Sequence, residues 1–534
     1  MSDLQDNKKA QKNISGSVGK SMLRLSTGIL GSRITGLIRD IVMAWYWGGT
    51  GVAQAAFNLA FAVPNSLRAL LSEGAFAAAF VPMLSERWAK KEPEEAKKLA
   101  SRAISIQLIV LVGFVLITAI ISLGCYFLSV KNKNLGAHIP LTFLLIPILM
   151  PYALLICQAG AFASVLNSLK KFTMPGLVPI LFNVVQVCSI LFLCQQWQIT
   201  ERPPIFIFSL SALLAGLLQL LTLMILSRRA GFTYRFDPSW HDKAVQTLCW
   251  RILPGLGGVG VMQINSLVDK ILAAKLGPAA VGALNYSQHI VYLPVGVFGV
   301  AMGVVCLSNM SHLVAKGAQQ EIANCFDYAL RQVFFLILPC TVLFFLLREP
   351  ILSLLFYRGA FNQEAVQESA WALLFYLPGL PAFCAVKIAT TPIHARFDTA
   401  TPVKIGCFCM ILNIILNLIL MQFLRQGGLA LSTSICSWLN AILLMRINKK
   451  FMPLWKPSKT AISLLALLPA GVLAGICAWI ALRCLPSMSS LPNVLRTGTQ
   501  VIAGCAAGGI GYLIGVLILR RPEIKESLAM VYKR

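Results

Sequence analysis

Acidic residues are scarce in this chain. Only 20 of 534 residues are Asp or Glu, charged residues of both signs make up 12%, and the five histidines are scattered. Soluble globular domains carry about 25% charged residues, so a water-exposed surface of ordinary composition is excluded. Motifs are missing too: HExxH, GxSxG and the phosphate-cradling P-loop do not occur, which leaves no catalytic constellation of those kinds. There is no CxxC pair, and the fifteen cysteines fall mostly inside apolar runs with only Cys407 and Cys409 close together. They read as small buried hydrophobes rather than as a disulfide or zinc framework. The segment 1–20 is polar and lysine-bearing and lacks an apolar stretch with a small-residue cleavage site, so no cleaved signal peptide is expected and the first helix inserts directly. No connecting segment is long enough for a separate soluble domain.

What the chain has is apolar length. Hydrophobic residues make up 57%, and they gather in runs of about 20, the length that crosses a bilayer as a helix. Such runs lie near 17–38, 53–84, 103–129, 141–166, 175–195, 204–226, 248–273, 281–311, 328–356, 367–394, 402–424, 428–446, 460–483 and 497–519. An all-α polytopic membrane protein of about fourteen transmembrane helices is predicted. Positive loops stay on the cytoplasmic side. The basic segments are Lys8 to Lys20, Arg87 to Lys98, Lys170 with Lys171, Arg228 to Lys243, Lys449 to Lys459, and the tail from Arg520. They share one parity, so both termini are expected in the cytoplasm. Much of the net charge of +26 is then explained by orientation and by contact with anionic lipid, not by nucleic acid.

An internal repeat is visible. Pro64 in FNLAFAVPNSLR and Pro294 in LNYSQHIVYLPVG are 230 residues apart, and Pro175 in NSLKKFTMPG and Pro402 in HARFDTATPVK are 227 apart. Six helices separate equivalent positions, an even number, so the copies are parallel repeats of the kind transporters use. The expected layout is a segment 1–16, an N-lobe 17–230, a C-lobe 245–447, two extra helices within 460–519, and a tail 520–534.

Ionisable groups inside spanning helices mark function by default. The stretch GSRITGLIRD carries Arg33, Arg39 and Asp40, and the second run carries Asn65, Arg68 and Glu73. A rise of 1.5 Å per residue puts Arg33 and Arg68 well inside the bilayer, while Arg24 and Arg251 read as interfacial anchors. Structural pairing with Glu73 or Asp40 is one account of these arginines. The other is an anion site in a water-filled cavity between the lobes, since three arginines outnumber two acids and a guanidinium fork suits phosphate. In the C-lobe, LPGLGGVGV opens the seventh helix and serves close packing or a bend. Asp269 follows on that helix, His289 lies on the eighth, Asn413 and Asn417 share one face of the eleventh, and Thr433 lies in LALSTS. The aspartate, the two amides and the hydroxyl are hard oxygen donors suited to a small cation, though polar glue between helices is the more common use of such residues.

GSRITGLIRD, VPNSLRALLSEGAFAAAFVPML and ARFDTATPVKI resemble the MurJ (MviN) lipid II flippases of the multidrug/oligosaccharidyl-lipid/polysaccharide exporter superfamily, over nearly the whole chain. The resemblance implies a transporter, not an enzyme. It would move undecaprenyl-pyrophosphate-linked peptidoglycan precursor from the inner to the outer leaflet of the bacterial inner membrane by alternating access, with the last two helices forming a groove for the lipid tail. It implies Arg33, Arg39, Arg68, Glu73, Asn65 and His289 as substrate-binding candidates, and a sodium site at Asp269, Asn413, Asn417, Thr433 and the carbonyl of Leu429. Lipid II and membrane lipids are the implied partners, alongside cell-wall synthesis proteins, and sodium is the one cofactor to consider. Two departures stand out: Gln54 and Ala55 replace the family's acid near the start of helix two, and His289 aligns with its helix-eight arginine. A polysaccharide-lipid flippase or multidrug exporter of the same superfamily is the nearest alternative. A polyprenyl-phosphate transferase is disfavoured, because the loops offer no acidic metal motif or base.

Overall fold

A computed structural model describes residues 31–132, 134–171, 173–194, 202–396, 398–485 and 492–519, a few of them, Glu73 included, by backbone alone. The expected terminal segments 1–16 and 520–534, and Arg24, lie outside the described residues. Among the described residues there is no strand. Twelve helical spans are long and apolar enough to cross a membrane. In chain order these are α2 (Val52–Ala89), α3 (Pro93–Lys131), α4 (His138–Ser168), α5 (Thr173–Cys194), α6 (Pro204–Arg229), α8 (Pro278–Ser311), α9 (Gln319–Phe356), α10 (Gln363–His394), α11 (Ala400–Leu424), α12 (Gln426–Phe451), α13 (Pro457–Cys484) and α14 (Asn493–Ile518). Two further helices are α7 (Lys243–Leu276), which covers the expected seventh span, and α1 (31–47), which overlaps the expected first span 17–38 over 31–38 and continues to Trp47.

Local chemistry sets the ends. Pro93, Pro278 and Pro457 occupy the first helical turn, where a missing N–H costs nothing. Gly277, at φ +115°, makes the tight entry to α8. Asn362 caps α10 by accepting from the Ala365 backbone N–H at 3.0 Å. Inside the bilayer a helix meets its own backbone hydrogen bonds, which is why length and apolarity suffice to form it. Lipid also removes the penalty for outward apolar side chains: Ile120 and Leu128 of α3 are each 70% exposed.

The repeat has a structural counterpart. The proline of each copy is followed by a π-helical turn, Ala69–Gly74 after Pro64 in α2 and Val295–Val300 after Pro294 in α8.

The chain forms two compact units; one boundary falls inside α7, between Gln263 and Ile264, and the short segment Trp47–Gly51 belongs to the second unit. The first α7 turns belong with the first unit because Val245 and Leu248 enter a core with Phe80, Leu84, Leu99, Phe162 and Phe232. Gly255 lets that helix lie against Ala75, whose Cβ would be 2.9 Å from a Cβ at Gly255. In the second unit, α14 packs on α13 and α9 through small residues. A Cβ at Gly508, Gly511 or Gly515 would strike Leu343, Cys477 or Ala470, and the Tyr512 hydroxyl donates to the Phe335 carbonyl at 2.8 Å.

The connector 230–242 between α6 and α7 is held to α3 by polar groups. Arg102 donates to Asp237 at 2.7 Å through Nε and to Asp242 through Nη1. Ser105 meets the Tyr234 hydroxyl at 3.0 Å and accepts from the Asp237 backbone N–H at 3.0 Å. The Ser239 hydroxyl and Arg102 hold Asp237 below the usual carboxylate range. Partial burial of Asp242 opposes its ionisation, but the Ala244 backbone N–H and Arg102 outweigh it, and that carboxyl is also held low. Both carboxyls are thus more acidic in the folded protein than the unfolded value of about 3.9. Their stabilisation is present above that value and is lost as pH falls through the folded ones. Amide exchange across 230–242, corrected for intrinsic rate, should therefore stay slow at neutral pH and quicken as pH falls below about 4. Arg102→Met should quicken it already at pH 7; slow exchange in that variant would show that the clamp does not hold the connector.

Candidate functional site

The first unit encloses a cavity of about 480 Å³ bounded by α1, α2, α4, α5 and α6, within the range of roughly 300–1,000 Å³ common for small-molecule sites. Its wall is shaped by the π turn of α2. Pro64 lacks an N–H, and five residues on, from Ala69 to Gly74, the helix widens into a π turn. Gly74 is required there, since a Cβ would lie 2.6 Å from the Ala69 carbonyl. Carbonyls around the turn find side-chain donors: Gln107 of α3 donates to Leu71 O at 2.6 Å, and the Cys157 thiol of α4 lies 3.7 Å from Leu67 O.

The turn sits directly after Arg68, which points Nε at Asn65 Oδ1 (3.1 Å), and both line the cavity. Arg39 reaches the same cavity from α1. Its guanidinium donates twice to Asp40 Oδ1, from Nε at 3.0 Å and Nη2 at 2.8 Å, and from Nη1 to Asn183 Oδ1 at 3.2 Å. It also lies 5.7 Å from the centre of the Phe182 ring. Asn183, on α5, completes the hold by donating to Ser32 O at 3.1 Å and Thr35 Oγ1 at 3.0 Å. Three of the five guanidinium N–H groups are thus used, and the other two have no partner among the described residues. The ion pair with Asp40 is buried on the acid side, at 6% exposure, and part-open on the arginine side, at 21%. A guanidinium so oriented is pre-set to donate to an anion.

Of the two accounts the sequence offers, pairing with an acid or an anion site between the lobes, the structure shows Arg39 paired with Asp40, and the residues lining the cavity around Arg39, Asn65 and Arg68 all belong to the first unit. Arg33 is exposed on α1 and does not line it. The side chain of Glu73 lies outside the described residues. His289 is half-buried on α8, in the second unit, beside Gln288, whose amide donates to the Tyr376 hydroxyl at 2.9 Å. Asn183 was not foreseen. Its only signal is an amide in an apolar run, shared with Gln186 and 144 residues from Arg39.

The second unit gathers its polar residues into one network. Asn417 Nδ2 donates to Asp269 Oδ1 at 2.6 Å, and the Asn413 amide nitrogen donates to Asp269 Oδ1 at 3.2 Å and Asn265 Oδ1 at 3.1 Å. Thr433 donates to the Leu429 carbonyl at 3.0 Å. Ser432, absent from the sequence candidates, shares its single hydroxyl proton between that carbonyl, 2.9 Å away, and Asn417 Oδ1. Carboxylate, amide, hydroxyl and carbonyl oxygens are the right donor set for a hard cation. In this arrangement those oxygens accept hydrogen bonds from the network's own amide N–H and hydroxyl groups. Among the described residues no group of three or more His, Cys, Asp or Glu could hold a metal.

Residues 45–495 match the family model described as lipid II flippase MurJ. The chain is 32% identical over 435 residues to the probable lipid II flippase MurJ of Vibrio cholerae, covering 80% of this chain and 82% of that protein. Its fold is similar to a solved structure of lipid II flippase MurJ in an inward closed conformation, with TM-score 0.75, 24% identity and coverage of 94% and 99%. It is also similar to an inward-facing multidrug resistance MATE family transporter of the MOP superfamily, with TM-score 0.66, 16% identity and coverage of 82% and 99%. At those identities the two structures speak for the fold alone.

One contact holds the cavity wall in shape. Gly160 of α4 faces the π turn, and a Cβ there would lie 1.7 Å from Ser72 Oγ and 2.9 Å from its Cβ. Gly160→Ala must push α2 away, an overpacking cost of about 1–3 kcal/mol, and should lower the melting temperature of the detergent-purified protein. Gly113→Ala, with nothing within 4 Å, should leave it level or raised. Equal melting of the two variants would mean that the α2–α4 contact yields freely.

Proposed function

This chain belongs to the lipid II flippase MurJ family, and we propose that it moves lipid II from the inner to the outer leaflet of the bacterial inner membrane by seating the diphosphate on Arg39 and Arg68. The observation that carries this reading is the convergence of Arg39, Asn65 and Arg68 on one cavity inside membrane-spanning helices. A diphosphate in hydrocarbon has no water to solvate it, and a fixed guanidinium replaces that hydration without reorganising. Asp40 and Asn183 act as positioning residues that set the plane of the Arg39 fork. Arg33, exposed on α1, approaches the headgroup from outside the cavity. Glu73 and His289 complete the candidate set.

Flipping breaks no bond. It is binding followed by alternation between two conformations, and a ligand drives that exchange only by its differential affinity for the two. The undecaprenyl tail stays in lipid, and we assign it to α13 and α14, whose outward Val472, Ile476 and Ile510 are 60%, 48% and 60% exposed. The parity of the basic loops supports cytoplasmic termini.

Arg39→Ala and Arg68→Ala should each abolish rescue of a bacterium depleted of its own lipid II flippase, and should weaken lipid II binding tenfold or more, since a charged hydrogen bond is worth about 1.5–3 kcal/mol. Arg33→Ala should cost less. Full rescue by both cavity variants would sink the assignment.

The network around Asp269 is proposed as a sodium-responsive lock on the second unit. Asp269, Asn413, Asn417, Thr433 and the Leu429 carbonyl would hold the ion, once the amides turn their oxygens inward. The single carboxylate would balance a monovalent charge. A ligand that binds the folded protein stabilises it by RT ln(1 + [L]/Kd). Sodium in place of potassium should therefore raise the melting temperature of the wild type and leave Asp269→Ala unmoved. The same shift in both would reduce the network to helix glue.

A further inference from the structure

Two acceptors on the wall of the first unit's cavity have no partner among the described residues. Gln219 of α6 is 2% exposed, and its Nε2 donates to the Val178 carbonyl at 3.2 Å. That bond fixes the amide, leaving Oε1 as the unmatched end. Asn167, in the last turn of α4, likewise buries an Oδ1 without a donor. Both residues line the cavity with Arg39, Asn65 and Arg68. Leaving a buried amide oxygen unmatched costs about 1–3 kcal/mol, so each of these two lining residues would gain from a donor brought by the cavity's occupant.

The chemistry of the two ends differs. Guanidinium groups only donate, so Arg39 and Arg68 suit phosphate oxygens. Amide oxygens only accept, and a diphosphate ester at neutral pH has no proton to give them. They must face another part of the same headgroup, one bearing O–H or N–H. We propose that Gln219 and Asn167 form a neutral subsite that reads hydroxyl or acetamido N–H donors on the sugar joined to the diphosphate. This rests on the reading of Arg39 and Arg68 as the diphosphate seat, and it makes the cavity selective for a glycosylated headgroup over a bare polyprenyl diphosphate.

The test compares lipid II with undecaprenyl diphosphate as probes, each bound to the purified full-length protein in lipid nanodiscs. Gln219→Met and Asn167→Leu remove the acceptors from two different helices at nearly constant volume. Each should weaken lipid II binding about tenfold, the worth of one hydrogen bond to a buried acceptor, and leave undecaprenyl diphosphate unchanged. Loss of both probes alike, or no loss of lipid II in either variant, overturns the subsite and leaves water as the partner of these oxygens. Arg39→Ala should weaken both probes. If it weakens neither while Gln219→Met still separates them, the sugar subsite stands and the diphosphate seat is wrong.

Discussion

A backbone carbonyl inside a bilayer has no water to turn to, and most of this structure follows from that. Continuous helices meet the demand internally, so runs of apolar residues are sufficient to write the fold. The informative places are those where the helix ladder is broken. Around the π turn of α2, Leu71 O goes to Gln107 and Leu67 O to Cys157, from α3 and α4. A defect that in water would be solvated is here repaired by two neighbouring helices, which ties them to the residue just before it, Arg68. Gly74 and Gly160 belong to the same repair, because each leaves room for the widened turn to lie where its partners reach it.

The same constraint explains how a guanidinium survives on α1. Arg39 is surrounded by Asp40, Asn183 and the Phe182 ring, and Asn183 is in turn anchored on Ser32 and Thr35. Each added contact costs side-chain freedom that a surface arginine keeps. What is gained is orientation: the fork does not have to be ordered when an anion arrives, so more of the binding free energy is retained. The pair with Asp40 and the anion-site reading, which compete on sequence, are compatible in the structure, since one carboxylate oxygen takes two N–H groups and leaves others.

How much of this was legible in the sequence depended on whether a residue acts along the chain or across it. The helical spans could be read, because hydropathy is a local property, and the repeat could be read from Pro64 and Pro294, whose effect on their own helix is local as well. The Arg39–Asn65–Arg68 grouping was legible in part, since charge in an apolar run is conspicuous. Asn183, Gln219 and Ser432 were not. Each is a neutral polar residue in an apolar helix, and its role comes from a partner distant in sequence: Arg39, the Val178 carbonyl and Asn417. Arg33 shows the converse limit, for a position counted along an axis says nothing about which side of the helix meets the cavity.

The two units use polar residues in opposite ways. In the second, Asn413, Asn417, Ser432 and Thr433 spend their donors and acceptors largely on one another and on Asp269, so the network is closed and rigidifying. In the first, the cavity keeps two N–H groups of Arg39 and the amide oxygens of Asn167 and Gln219 uncommitted among the described residues. A closed network changes only by being reorganised, whereas an open one still has polar atoms to be matched. The residue types in the two places overlap, asparagine in both, so composition could not have told the closed network from the open one. The difference lies in whether each polar atom has already found a partner.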